Sequence, residues 1–147
     1  METYTVTVGE DKAIRWYQSN KLHRIDGPAS EYADGTKFWY LNGESHRVDG
    51  PAIEYADGAK FWYLKGKFHR VDGPAMECAD GDKHWYLNNK RHRTDGPAIE
   101  YANGTKHWFL NGEQLSEAEF NKKSKVPTCA GKVVMIDGKK YTLVESV

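Results

Sequence analysis

Apolar and aromatic positions along this chain come in short bursts, never in long runs. Thr36-Lys37-Phe38-Trp39-Tyr40-Leu41 and Ala59-Lys60-Phe61-Trp62-Tyr63-Leu64 are two of them, both rich in strand-forming residues. Asp-Gly, Asn-Gly and Gly-Pro pairs bound the bursts and mark turns. The pattern then repeats. His23, His46, His69 and His92 lie 23 residues apart, and each is followed by Arg: Arg24, Arg47, Arg70, Arg93. Asp-Gly-Pro-Ala recurs at 26–29, 49–52, 72–75 and 95–98, followed by Glu31, Glu54, Glu77 and Glu100. Trp16, Trp39, Trp62, Trp85 and Trp108 keep the same step. Four full copies therefore span residues 20–112. An N-terminal cap strand with a degenerate copy occupies 1–19, where Thr5-Val6-Thr7-Val8 alternates like an edge strand.

Each copy reads as two short strands, so the chain is mainly β, hairpin after hairpin. Asn42-Gly43 and Asp57-Gly58 suit the two positive-φ positions of a type I′ turn. A two-residue loop at 42–43 pairs Trp39 with His46 and Phe38 with Arg47. A two-residue loop at 57–58 pairs Tyr55 with Lys60, Glu54 with Phe61 and Ile53 with Trp62. Opposed residues share a face. One face then holds Ile53, Tyr55, Trp62, Leu64, His46 and Val48 and is the expected core. The other holds Ala52, Glu54, Phe61, Tyr63 and Arg47. A slip of one residue would exchange the faces.

The pattern changes at 113–147. Ser116 and Glu119 form a capping box for a short helix over 117–124, which Pro127 ends. A final Asp-Gly hairpin follows, from Val133 to Val144. A repeat array needs a distinct end to cover its last apolar face, and Leu115 and Phe120 suit that task.

Composition sharpens this picture. Lys+Arg and Asp+Glu number 21 each, so no net positive charge draws the chain to nucleic acid or a membrane surface. Leu, Ile, Val and Phe make up less than a fifth of the 147 residues; five Trp and nine Tyr supply the missing apolar area. The expected core is thin and aromatic. Cys78 and Cys129 sit in no CxxC motif, and no apolar segment suggests a leader or a membrane span. A reduced, cytoplasmic setting is the expectation.

The run Tyr-Ala-Asp-Gly-x-Lys-x-Trp-Tyr-Leu-Asn-Gly-Glu-x-His-Arg-x-Asp-Gly-Pro-Ala resembles the MORN repeat family. Tyr55, Gly58, Trp62, Gly66 and His69 match, with their equivalents in each copy, while Arg replaces the family's Gly after His. The likeness covers about two-thirds of the chain, and the variant with Arg after His and Asp-Gly-Pro-Ala resembles versions associated with bacterial and bacteriophage proteins. It implies an elongated single-layer antiparallel sheet of tandem β-hairpins with an aromatic groove, used to bind partners or to form a homodimer. A bacteriophage origin would imply an inhibitor or modulator of a host defence protein, acting in the host cytoplasm. Trp-Tyr-Leu-Asn is also similar to the choline-binding repeats of secreted cell-wall proteins, a weaker likeness.

Candidate chemistry must be weighed against four-fold recurrence. Equivalent His residues stand about 10 Å apart at ~4.8 Å per strand, too far to share one zinc ion. His is expected instead to stack on the opposed Trp and donate to a carbonyl. A catalytic constellation occurs once, in a pocket; four equal His-Arg-x-Asp copies argue for a structural role and against an enzyme. Arg47 and Glu31 are expected to form an ion pair over Phe38, and Asp26 to make an Asx-type turn bond. Interleaved aromatic and basic residues could stack single-stranded nucleic acid, but acidic neighbours cancel the charge. A small charged ligand such as a nucleotide is a further alternative. The resulting expectation is a non-catalytic protein-binding module without cofactor or metal. Its anchors would be Phe38, Tyr40, Arg47, Phe61, Tyr63, Arg70, His84, Tyr86, Arg93 and His107.

Overall fold

The computed structural model describes residues 4–124 and the backbone of Val133–Ile136 and Lys139–Thr142. Its frame is one twelve-stranded antiparallel sheet in a single layer. β1 (Tyr4–Val8) forms one edge beside β2 (Ile14–Gln18). Each copy then adds two short strands in chain order: Ser30–Glu31 and Lys37–Phe38, Ile53–Glu54 and Lys60–Phe61, Met76–Glu77 and Lys83–His84, Ile99–Glu100 and Lys106–Leu110. Glu113–Leu115 closes the far edge, and the twelfth strand, Lys21–Leu22, pairs with β2 beside this row. Each burst runs on into a second hairpin, as in Tyr40–Leu41 with Glu44–Ser45. These hairpin arms lean on one another from copy to copy, for example through Arg47 N to Tyr63 O at 3.1 Å and Gly66 N to Ser45 O at 2.9 Å.

The two kinds of turn behave differently. At Asn42-Gly43 both residues have positive φ, 54° and 84°, Tyr40 opposes Ser45 and His46 N–H bonds to Trp39 O, so the two-residue loop and the Trp39–His46 pairing are as expected. The hairpin ends there, and Phe38 opposes Ser30 and Ile53 rather than Arg47, whose N–H bonds to Tyr63 O. At Asp57-Gly58 only Gly58 has positive φ, 94°. Gly58 N–H bonds to Tyr55 O, Tyr55 N–H bonds to Ala59 O, and the Asp57 carboxylate accepts from Ala59 N–H at 2.9 Å. The loop is thus three residues, Ala56-Asp57-Gly58, a type I turn closed by a left-handed glycine. Ile53 opposes Phe61 and Glu54 opposes Lys60, one residue off the expected pairing. The Asp side chain, bonding forward to the backbone, holds the longer loop.

That single step rearranges the faces. One now carries Phe38, Ile53, Phe61, Met76, His84, Ile99 and His107 in a cross-strand row. The other carries two rows. Along the first, indole and methyl alternate: Val6, Trp16, Ala29, Trp39, Ala52, Trp62, Ala75, Trp85, Ala98, Trp108, Leu115. Every alanine in it is fully buried, because a small side chain must sit between two indoles. The second alternates charge: Glu31, Lys37, Glu54, Lys60, Glu77, Lys83, Glu100, Lys106. The expected core face is therefore corrected: Trp62 and Ile53 lie on opposite faces, and Val48 is exposed.

The last copy is covered by the helix as the sequence predicts, while every residue of the edge strand β1 is exposed. α1 (Glu117–Ser124) starts in a capping box, with Ser116 N–H donating to Glu119 at 2.9 Å and Glu119 N–H to Ser116 Oγ at 3.3 Å. Phe120 and Leu115 are buried at the last copy. Val133–Ile136 and Lys139–Thr142 pair as the final hairpin, while Pro127 and Cys129 lie outside the described residues. No described helix is long and apolar enough to cross a membrane.

Candidate functional site

Each copy builds one node around its Arg. The Arg47 guanidinium lies 4.0 Å from the Trp39 ring centroid. Its Nε donates to Asp49 at 2.9 Å, and one terminal nitrogen donates to Pro51 O at 3.2 Å and Glu54 at 3.0 Å. Arg24, Arg70 and Arg93 repeat this arrangement over Trp16, Trp62 and Trp85. The ion pair over a ring exists, but it is corrected in its members: Glu54 rather than Glu31, and Trp39 rather than Phe38. Asp26 likewise pairs with Arg24 Nε at 3.0 Å instead of making an Asx turn. Gly50 is needed here for space, since a Cβ on it would come within 2.9 Å of the Arg47 Cζ.

The histidines also differ from expectation. The Arg, not the His, covers the Trp. The Nδ1 atoms of His23, His46 and His92 accept the backbone N–H of Asn42, Lys65 and Asn111 at 3.0, 3.2 and 3.0 Å. His23 Nδ1 also lies 3.0 Å from Asn42 Oδ1, and His69 Nδ1 lies 3.1 Å from Asn88 Oδ1. The donors are positive-φ residues of the following copy's turn, so each His ties one copy to the next.

These nodes shape three equivalent troughs. In each, the Arg-x-Asp-Gly-Pro loop of one copy faces the His-Arg-x-Asp segment of the next, over a floor of Trp and Leu. The floors are Trp39 and Leu41, Trp62 and Leu64, Trp85 and Leu87, and the volumes are 820, 660 and 570 Å³. The loop tips Ile25, Val48 and Val71 are 79, 83 and 83% exposed. The sequence signal for them is a β-branched residue between Arg and Asp in an otherwise polar turn; Val48, expected on the core face, is one of these exposed tips.

The opposite face is a ladder of rings. Tyr32, Phe38, Tyr55 and Phe61 meet edge to face at 5.3–5.9 Å between centroids, as do His84, Tyr101 and His107 at 5.8 Å. Cys78 holds the slot that Tyr fills in other copies, leaving a 410 Å³ hollow beside Tyr55 and Phe61. Phe68 packs between Tyr63 and Tyr86, at 4.1 and 5.2 Å. The ten expected anchors thus divide. Phe38, Tyr40, Phe61, Tyr63, His84, Tyr86 and His107 belong to the ring face; Arg47, Arg70 and Arg93 belong to the trough face.

Electrostatics follows burial and pairing. The Arg hydrogen bond holds Asp26, Asp49, Asp72 and Asp95 below the usual carboxylate value. Burial pushes the Tyr63 hydroxyl up to about 12. Burial, aided by Arg91, lowers His84, and burial with Asp80 and Asp82 nearby raises the Cys78 thiol. Among the described residues no group of three or more His, Cys, Asp or Glu is arranged to hold a metal ion. No protein-family model and no curated protein matches the chain.

Proposed function

We propose that the chain is a non-catalytic, MORN-like protein-binding module that engages its partner through the trough face. The observation that carries this reading is recurrence: one trough with the same Trp-Leu floor and the same walls is built three times, flanked by the exposed tips Ile25, Val48 and Val71 and, on the far side of the third, by Thr94. Its Arg groups are bonded to carboxylates and a carbonyl within their own copy, so they shape the surface rather than act on a substrate. Regular exposed apolar tips beside charged rims suit a protein partner. The resemblance to bacteriophage repeat proteins supports a host protein, met in the host cytoplasm, as that partner.

The test is affinity capture from a bacterial lysate by tagged full-length protein. A partner retained by the wild type should be lost with the double variant Val48→Asp, Val71→Asp at unchanged melting temperature. Equal capture by both proteins would remove the trough face from the account.

A further inference from the structure

We propose that one proline-rich segment in the polyproline II conformation, with a basic residue at every third position, lies along the array and occupies the three troughs together. This rests on the protein-binding reading and adds the chemistry of the partner. The first argument is period. Each copy contributes two strands to the sheet, so at ~4.8 Å per strand the troughs recur every ~9.6 Å. A polyproline II helix has three residues per turn at ~3.1 Å each, a repeat of about 9.3 Å. A β-strand presents one face every ~6.7 Å, and seven residues of α-helix advance about 10.5 Å. Neither keeps step as closely.

The second argument is the lining. Indole and leucine floors between the apolar tips Val48 and Val71 make the aromatic slots into which such segments dock. The segment is already extended, so little ordering entropy opposes binding. The third argument is charge. The Asp26, Asp49, Asp72 and Asp95 side chains on the rims are 79–85% exposed, whereas the paired arginines are 21–25% exposed. The accessible charge along the troughs is therefore negative and repeats with the copies, which selects a basic side chain at the same interval.

Fluorescence anisotropy with labelled (Pro-Pro-Arg)4 and full-length protein, in physiological salt, tests this. We expect saturable binding, at least tenfold weaker for (Pro-Pro-Arg)2, which reaches fewer troughs. A peptide of equal composition whose four Arg stand at alternate positions within eight residues should bind at least tenfold more weakly, and (Pro-Pro-Glu)4 should not bind. Val48→Ser with Val71→Ser, and Asp49→Asn with Asp72→Asn, should each weaken binding at least tenfold while the fold, read by circular dichroism, is unchanged. Equal affinity for the two arginine spacings, or no binding of (Pro-Pro-Arg)4, overturns the inference. If that peptide fails yet the trough variant still loses the captured partner, only this inference falls. If capture also survives the trough variant, the protein-binding reading of this face falls with it.

Discussion

At the scale of single residues, the arginine after each histidine organises its copy. Arg70 stacks on Trp62 and donates to Asp72, Pro74 O and Glu77. Lysine lacks the planar fork and stacks poorly. Arg70→Ala should cost about 1–3 kcal/mol in urea denaturation, the range for charge-assisted bonds lost from a partly buried site, and Arg70→Lys should recover little of it. Arg70 and Phe61 thus make poor probes of binding, because their loss disturbs the sheet; the exposed tips are cleaner. His84 gives the pH dependence. Burial holds it below its ordinary value of 6.5, so the unfolded chain takes up the proton first. Its contribution to stability is complete above that value and is lost as pH falls from it through the lower value of the folded state. Melting temperature should therefore fall less between pH 7.5 and 5.5 in His84→Phe, which places the Phe of other copies in this slot, than in the wild type. Parallel curves would contradict the assignment. The sequence made the Arg recurrence plain but not its partners. Which Glu and which ring it meets depends on register, and register turned on one hydrogen bond from Ala59 N–H to Asp57.

At the scale of the element, the sheet is held by rows that alternate large and small. Ala75 lies fully buried between Trp62 and Trp85. Ala75→Leu should overpack this row and cost about 1–3 kcal/mol in chemical denaturation, whereas Ala79→Leu, outside it, should cost much less. The ring face shows the converse. Cys78→Tyr should fill the hollow beside Phe61 and raise the denaturation midpoint, at about 0.5–1.5 kcal/mol for an added aromatic pair. A lowered midpoint would mean the copies are not equivalent there. The Asn42-Gly43 hairpin, the capping box at Ser116 and the edge strand were legible because each depends on local chemistry: a turn dipeptide, a four-residue motif, strict alternation. The three-residue Asp-Gly loop was not. The same dipeptide fits both loops, and the choice lies in side-chain hydrogen bonding that no pattern of polar and apolar residues encodes. Val48 reads as a core residue in the sequence because a β-branched residue in a loop carries no mark, within its own copy, of its exposure.

At the scale of the whole molecule, the copies stand side by side in one sheet, so anything they present recurs in space as it does in sequence. The ladder of alternating Glu and Lys, with the Arg–Asp and Arg–Glu pairs beside it, sets each of these basic residues next to an acidic one, so they form no basic stripe. The trough row explains how a chain with a thin core can still offer a long structured surface. Both the binding proposal and its ligand depend on the spacing being regular. The direct test is pulsed dipolar spectroscopy on spin-label pairs at the loop tips, in a background with Cys78 and Cys129 replaced by Ser. Labels at Ile25 and Val71, two copies apart, should give about 19 Å, and labels at Ile25 and Thr94, three copies apart, about 29 Å. A Thr94 distance equal to or shorter than the Val71 distance would mean that the array folds back on itself, and the account of a regular row of troughs would be wrong.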